Sequence, residues 1–75
     1  MNREVVKVKI SGRNQLRGTV RHIATDGLMA KVVVDIGGRQ SITALITGEA
    51  ANDLGLAVGD RVTALIKATS VMIVK

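Results

Sequence analysis

Residues 28–47, LMAKVVVDIGGRQSITALIT, decide the fold class. Residues 28–36 and residues 40–47 both place apolar side chains at every second position, which is the period of a β-strand with one buried face. The apolar faces consist of Leu28, Ala30, Val32, Val34 and Ile36 in the first run and of Ile42, Ala44 and Ile46 in the second. The intervening Gly-Gly-Arg at 37–39 supplies the positive φ angles of a tight turn. This stretch therefore predicts a β-hairpin.

The same alternation predicts strands on both sides of the hairpin. They cover residues 5–10 (VVKVKI), 16–24 (LRGTVRHIA), 61–67 (RVTALIK) and 71–75 (VMIVK). Gly18 interrupts the second of these, and a glycine there often marks a bend or a close backbone approach. The remaining connections, TDG at 25–27 and VGD at 58–60, have turn composition.

One segment has no strand period. Residues 48–56, GEAANDLGL, suit a short helix that Thr47 caps at its start and Gly55 stops at its end. Five or six short strands with one helix before the last long strand predict an all-β domain, a small OB-fold-like β-barrel. A six-stranded sandwich is the alternative. With 75 residues, the chain is expected to form a single domain over residues 1–75.

The apolar residues exceed what a lone small barrel needs. Met29, Val33, Leu45 and Leu65 lie on the strand faces opposite the main apolar sets, and residues 71–74 are apolar throughout. A domain of this size has a marginal core, and the absence of cysteine excludes disulfides. Surplus apolar surface marks interfaces. We therefore expect a homo-oligomer.

The composition limits where the protein is expected to be located and what it is expected to bind. No apolar run approaches the roughly 20 residues of a membrane span, and the N-terminal residues lack the apolar block of a signal peptide. We therefore expect a cytoplasmic protein that makes no membrane contact. The formal net charge of +5 favours anionic partners.

The titratable residues argue against an enzyme. His22 is the only histidine and lies within a predicted strand, and the serines have no base beside them in sequence. We therefore predict no catalytic residue, no metal site and no cofactor. The basic excess leaves one alternative, an OB-type module that binds single-stranded nucleic acid. Such modules stack bases on aromatic side chains, and this chain has none.

Two polar segments, SGRNQ at 11–15 and KATS at 67–70, each lie between two predicted strands. Together they offer hydroxyl, guanidinium, amide and ammonium donors and no carboxylate. Gly12 also allows close approach to the backbone. A pocket rich in donors and poor in acceptors suits a fully ionised oxyanion such as molybdate, tungstate or sulfate. The same residues would also serve as ordinary strand connections.

Three segments, SGRNQLRGTV, ITALITGEAANDLGLAVGD and ALIKATSVMIVK, resemble the molbindin (Mop) family of small molybdate-binding proteins in order and spacing. The resemblance implies an OB-type barrel that assembles into a hexamer, a trimer of dimers. It also implies molybdate, or tungstate, held between subunits for intracellular storage, without chemistry. The oxyanion-binding residues that it implies are Ser11, Gly12, Arg13, Asn14, Lys67, Ala68, Thr69 and Ser70.

The chain departs from the family pattern at two places. Gly12 stands where alanine is usual, which should loosen the loop. TGEA at 47–50 stands where TNES is more usual, which removes an amide and a hydroxyl. If that segment contributes to a second class of site, the second site is in doubt here.

Overall fold

A computed structural model describes residues 9–75 of the chain. Within that part, four strands form one antiparallel sheet in the order β3-β2-β1-β4. The elements are β1 (Asn14–Thr25), β2 (Met29–Gly37), β3 (Gln40–Thr47), α1 (Gly48–Asp53), β4 (Arg61–Ile66) and a single 3-10 turn (Ala68–Ser70). The all-β class with one short helix is confirmed.

Strand β1 curls the sheet because it pairs with two strands in succession. Its first half pairs with β4 and its second half pairs with β2, and the two ladders meet at Thr19. A bulge at Arg21, between Val20 and His22, bends the strand just after that point. Among residues 9–75, the result is a half-barrel whose edge strands are β3 and β4.

Gly18 allows the close approach that its place in the sequence predicts. A Cβ on this residue would lie 2.6 Å from Cγ1 of Val34 and nearer still to the carbonyl oxygen of Asp35. Only glycine lets β1 cross β2 at this distance. The predicted bend or close approach is confirmed.

The core of the half-barrel is small and aliphatic. Val20, Val32 and Val34 are buried together, and partly buried residues pack around them: Ile23, Ile36, Ile46, Leu56 and Val62. Full burial of a valine side chain stabilises a fold by about 1.5–3 kcal/mol. Within residues 9–75, this cluster of three valines is therefore a small core.

The hairpin turn and the helix caps follow the predicted chemistry. Gly38 and Arg39 both have φ of +62°, as a two-residue turn of the I′ type requires. The Thr47 hydroxyl accepts a hydrogen bond of 3.0 Å from the Ala50 amide at the start of α1. Gly55, at φ +60°, ends the helix in a left-handed turn.

Several predicted boundaries change. Strand β3 spans the predicted residues 40–47. Strand β2 lies one residue later than predicted and β4 ends one residue earlier. Strand β1 begins at Asn14, two residues before its predicted start. Helix α1 ends at Asp53 rather than at residue 56, because the turn at Gly55 closes it with hydrogen bonds from Gly55 to Asn52 and from Leu56 to Ala51. Leu28 lies in the turn before β2 and is exposed, so its predicted place on the buried face is wrong.

The predictions for the two ends of the chain agree least with the described structure. Most of the predicted strand at residues 5–10 lies outside the described residues, and Lys9 and Ile10 are not in a strand. The strand predicted for residues 71–75 is wrong for the single chain, where this segment is irregular and exposed. Alternating apolar residues form a strand only when a neighbouring strand accepts and donates their hydrogen bonds. Within residues 9–75, no helix has the length and apolar character needed to cross a membrane.

Candidate functional site

The two polar segments meet at the open end of the β1–β4 ladder. Asn14 and Ile66 form the last pair of that ladder, so Arg13 and Lys67 follow on opposite strands just beyond it. A cavity of about 270 Å³ lies there, which we call the strand-end cavity. Its lining comprises Ile10, Ser11, Gly12, Arg13, Leu65, Ile66, Lys67, Ala68 and Thr69. One chain therefore brings together six of the eight residues that the sequence and the resemblance single out.

The two amide side chains of the first segment hold the cavity together. Nδ2 of Asn14 donates a hydrogen bond of 3.0 Å to the carbonyl oxygen of Ile66, across the ladder. Nε2 of Gln15 donates one of 3.0 Å back to the carbonyl oxygen of Gly12. Asn14 is half-buried and does not line the cavity. In this structure it clamps the two strands together.

The 3-10 turn orients the second segment. The Ser70 amide donates to the carbonyl oxygen of Lys67 at 2.9 Å, which closes the turn after β4. That bond occupies the Ser70 amide, and Ser70 is not among the residues that line the cavity. Within residues 9–75, the amides of Gly12, Ala68 and Thr69 donate to no backbone acceptor. Among the described residues, these three N–H groups therefore have no backbone partner.

The charge at the cavity has one sign. Arg13 and Lys67 are both exposed, and none of the described residues that line the cavity is a carboxylate. Ser11 and Thr69 add hydroxyl groups. This set of donors suits an anion that carries no proton, since such an anion needs only donors around it.

The apolar walls of the cavity were not predicted as part of the site. Ile10, Leu65 and Ile66 line it beside the polar residues. Apolar surroundings strengthen hydrogen bonds to charge by lowering the local dielectric constant. The sequence contained one indication of these walls. Leu65 is apolar although it lies on the strand face opposite the core residue Val62.

The TGEA segment has a different environment. A cavity of about 310 Å³ lies beside it, lined by Ile23, Thr25, Gly27, Ala30, Gly48, Ala51, Asn52 and Leu56. None of these described residues is basic, so this cavity differs in charge from the strand-end cavity. A Cβ at Gly48 would lie 2.7 Å from the carbonyl oxygen of Gly27, so the larger residue usual in the family requires this loop to shift.

The remaining chemistry of the described residues is sparse. His22 is exposed on β1, apart from the strand-end cavity. Residues 9–75 contain no group of three or more histidine, aspartate or glutamate side chains placed to hold a metal ion. The strand-end cavity is thus the place where the donors concentrate.

Comparison with known proteins points to one family. The model of the TOBE domain matches residues 10–73. Molybdenum-pterin-binding protein 3 of Clostridium pasteurianum is 41% identical over 66 residues, which cover 88% of this chain and 97% of that protein. A probable molybdenum-pterin-binding protein of Haemophilus influenzae is 44% identical, with coverage of 88% and 96%.

Solved structures agree. The structure of a molybdate-binding protein from Sporomusa ovata is similar with a TM-score of 0.85 and 47% identity, and the match covers 91% of this chain and all of that chain. The cytoplasmic molybdate-binding protein ModG, in a form with molybdate bound, has a TM-score of 0.82 and 40% identity. That match covers 87% of this chain and 46% of ModG.

Proposed function

Because this chain belongs to the TOBE domain family, we propose that it binds molybdate in the strand-end cavity and stores or buffers it. The observation that carries the proposal is the meeting of two donor-rich segments, far apart in sequence, around one cavity without a carboxylate. The relatives whose names specify a ligand support molybdate and not the nucleic-acid alternative. The cavity holds no acid–base pair, so the proposed activity is binding without a chemical step.

The proposed binding residues divide by the kind of hydrogen bond they make. Arg13 and Lys67 attract the dianion and donate charge-assisted hydrogen bonds, while Ser11 and Thr69 donate from hydroxyl groups. Gly12 and Ala68 donate from the backbone. Asn14 acts by holding β1 to β4, and Ser70 acts through its amide, which closes the turn that carries Ala68 and Thr69.

The number of donors is sufficient for useful affinity. Hydrogen bonds to charged groups contribute about 1.5–3 kcal/mol each. Four or five of them, partly offset by the cost of ordering two exposed side chains, reach the roughly 8 kcal/mol of micromolar binding. Molybdate and tungstate share charge and shape, so tungstate is the expected alternative ligand, and sulfate is separated from both by its smaller size.

We also propose that the chain works as a cytoplasmic homo-oligomer, as a hexamer built from three dimers with oxyanions at subunit interfaces. Exposed apolar side chains on several elements support self-association, among them Leu45, Leu54, Val58 and Leu65. The cavity itself is lined mostly by exposed residues, so a neighbouring subunit would complete its enclosure. A cytoplasmic location follows the description of ModG.

Parallel calorimetric titrations test this function. Molybdate, tungstate and sulfate are added separately to the protein at one ionic strength. We expect saturable binding of molybdate and tungstate and at least tenfold weaker binding of sulfate. Equal heats for all three anions, or none, would contradict the proposal. A single-stranded oligonucleotide is titrated at low salt as a fourth ligand, and we expect no binding.

A further inference from the structure

The outer face of the β1–β4 ladder carries two arginines and two threonines. Thr63 lies directly opposite Arg17, and Arg61 lies directly opposite Thr19. On each strand the two residues are two positions apart, so all four side chains share one face, opposite to that of the buried Val20. Both arginines and Thr63 are exposed, and Thr19 is half-buried. We call these four residues the outer-face quartet.

The quartet places its two cations diagonally across neighbouring strands. In an antiparallel pair, side chains directly opposite each other have Cβ atoms about 4.5–5.5 Å apart, and diagonal neighbours are about 7–8 Å apart. A cavity of about 230 Å³ lies at this place, lined by Arg17, Arg61, Val62 and Thr63. Both guanidinium groups can therefore reach a ligand that lies between the two strands.

The carboxylates around the quartet are engaged elsewhere. None of the described residues that line its cavity is acidic. Asp35 lies opposite Thr19 on β2, and Asp60 directly precedes β4. The Asp35 carboxylate accepts a hydrogen bond of 2.9 Å from the Gly37 amide, and the Asp60 carboxylate accepts one of 2.9 Å from the Ala57 amide. These bonds hold each carboxylate to the turn beside its own strand.

The donors of the quartet suit a phosphate group. A guanidinium presents a planar fork of N–H groups, which can bind two oxygens of one phosphate at the same time. Two like charges on neighbouring strands repel each other, and an anion between them replaces this repulsion with two attractions. A phosphate ion that retains a proton also needs an acceptor, and a threonine hydroxyl both donates and accepts.

We propose that the outer-face quartet is a second anion site, which binds the phosphate group of a small molecule through Arg17 and Arg61. Its cavity shares no lining residue with the strand-end cavity. Arg13 lies four positions before Arg17, roughly 13 Å along an extended chain, so an anion in one site leaves the other accessible. This site goes beyond the proposed molybdate function and does not rest on it.

Calorimetric titration of the full chain at pH 8 tests the site. The two probes are inorganic phosphate and glycerol 3-phosphate, each added with and without molybdate at the concentration that saturates the strand-end cavity. We expect saturable binding of phosphate that molybdate does not displace. Equal affinity for the two probes would assign the site to the free ion, and tighter binding of glycerol 3-phosphate would assign it to an esterified phosphate.

Single substitutions locate the phosphate. We expect Arg17→Ala and Arg61→Ala each to weaken its binding about tenfold, the lower end for loss of one charge-assisted hydrogen bond. Lys31→Ala is the matched control, because it removes one exposed positive charge from β2, where Lys31 pairs with Ala24 away from the quartet. It should leave the affinity unchanged. Circular dichroism shows that each variant is folded.

Three results would overturn the proposal. The first is the absence of saturable phosphate binding. The second is an equal loss of affinity in Lys31→Ala, which would attribute binding to net charge. The third is displacement of phosphate by molybdate, which would place phosphate in the strand-end cavity.

The same variants are titrated with molybdate to separate the two sites. We expect Arg17→Ala and Arg61→Ala to bind molybdate as the natural chain does. Molybdate binding without phosphate binding would remove the outer-face site alone, and phosphate binding without molybdate binding would remove the proposed function alone.

Discussion

Arg13 and Lys67 are the residues on which anion binding is expected to depend most. They follow the last pair of the β1–β4 ladder on opposite strands, and both line the strand-end cavity. A cation at either position acts on the ligand through charge and through hydrogen bonds, so its loss removes both contributions.

We expect Arg13→Ala and Lys67→Ala each to weaken molybdate binding at least tenfold in a calorimetric titration. Tenfold corresponds to about 1.4 kcal/mol, the lower end for one charge-assisted hydrogen bond. Lys31→Ala is the matched control, because it removes the same charge from an exposed position away from the cavity. An equal loss in all three variants would mean that only net charge matters.

Asp26 is a residue whose charge stabilises a turn. Its carboxylate accepts hydrogen bonds from the Met29 amide at 2.9 Å and from the Leu28 amide at 3.1 Å, and these bonds lower its pKa below the ordinary value of an aspartate. A lowered pKa in the folded state means that the ionised group stabilises the fold fully above the unfolded pKa of about 3.9 and that this contribution is lost as pH falls through the lower pKa of the folded state.

The substitution Asp26→Asn keeps an oxygen acceptor but removes the charge. We expect a lower melting temperature at pH 7 and a smaller difference from the natural chain at pH 3, measured by circular dichroism. Asp53→Asn makes the same change of charge at the end of α1 and should not lower the melting temperature at pH 7. A deficit of Asp26→Asn that persists undiminished at pH 3 would contradict the electrostatic account.

At the scale of elements, β1 joins the two ladders of the half-barrel. Its crossing with β2 depends on Gly18, where a side chain would meet Val34 and the backbone of Asp35. The bulge at Arg21 then turns the strand toward its second partner.

We expect Gly18→Ala to destabilise the fold by about 1–3 kcal/mol, because the added methyl group forces β1 away from β2. Denaturant unfolding followed by circular dichroism measures the change. Gly12→Ala is the control, since a Cβ there meets nothing within 4 Å and the backbone is not in the left-handed region. Similar losses in both variants would show that the crossing is not the sensitive point.

The bounds of the strands and the helix show how much of the secondary structure apolar periodicity predicts. Strand β3 was predicted to its exact ends, since the hairpin turn limits one end and the cap at Thr47 limits the other. The helix end was two to three residues too late, because its apolar pattern continues through Leu54 and Leu56 while the turn at Gly55 breaks the hydrogen bonds. Apolar pattern sets which residues face inward, and backbone hydrogen bonding sets where an element stops.

For the whole molecule, a bound anion should stabilise the folded state. The chain carries a net charge of +5 and two of its cations face one cavity. A ligand that binds only the folded state adds about 2.7 kcal/mol at one hundred times its dissociation constant.

We therefore expect molybdate at such a concentration to raise the melting temperature by several degrees, measured by circular dichroism because the chain has no tryptophan or tyrosine. Sodium chloride at the same ionic strength is the control, since it screens the net charge without supplying a tetrahedral dianion for the site. Equal shifts with both salts would attribute the effect to screening alone.

The site was predictable in its chemistry and only partly in its arrangement. The donor-rich segments could be read directly, but the clamp from Asn14 to Ile66 and the apolar walls formed by Ile10 and Leu65 depend on how distant strands pair. The roles of the binding residues remain predictions that the titrations above decide.

Local sequence by itself determined the alternating strands, the glycine turns, the helix cap and the list of donors, since each depends on a few neighbouring residues. Only the tertiary structure decided that residues more than fifty positions apart lie side by side at the end of β1 and β4, and that residues 71–75 are largely exposed among the described residues. The physical reason is that strand register and edge pairing are set by long-range packing and hydrogen bonding. A strand pattern specifies which face is apolar, and not which strand will cover it.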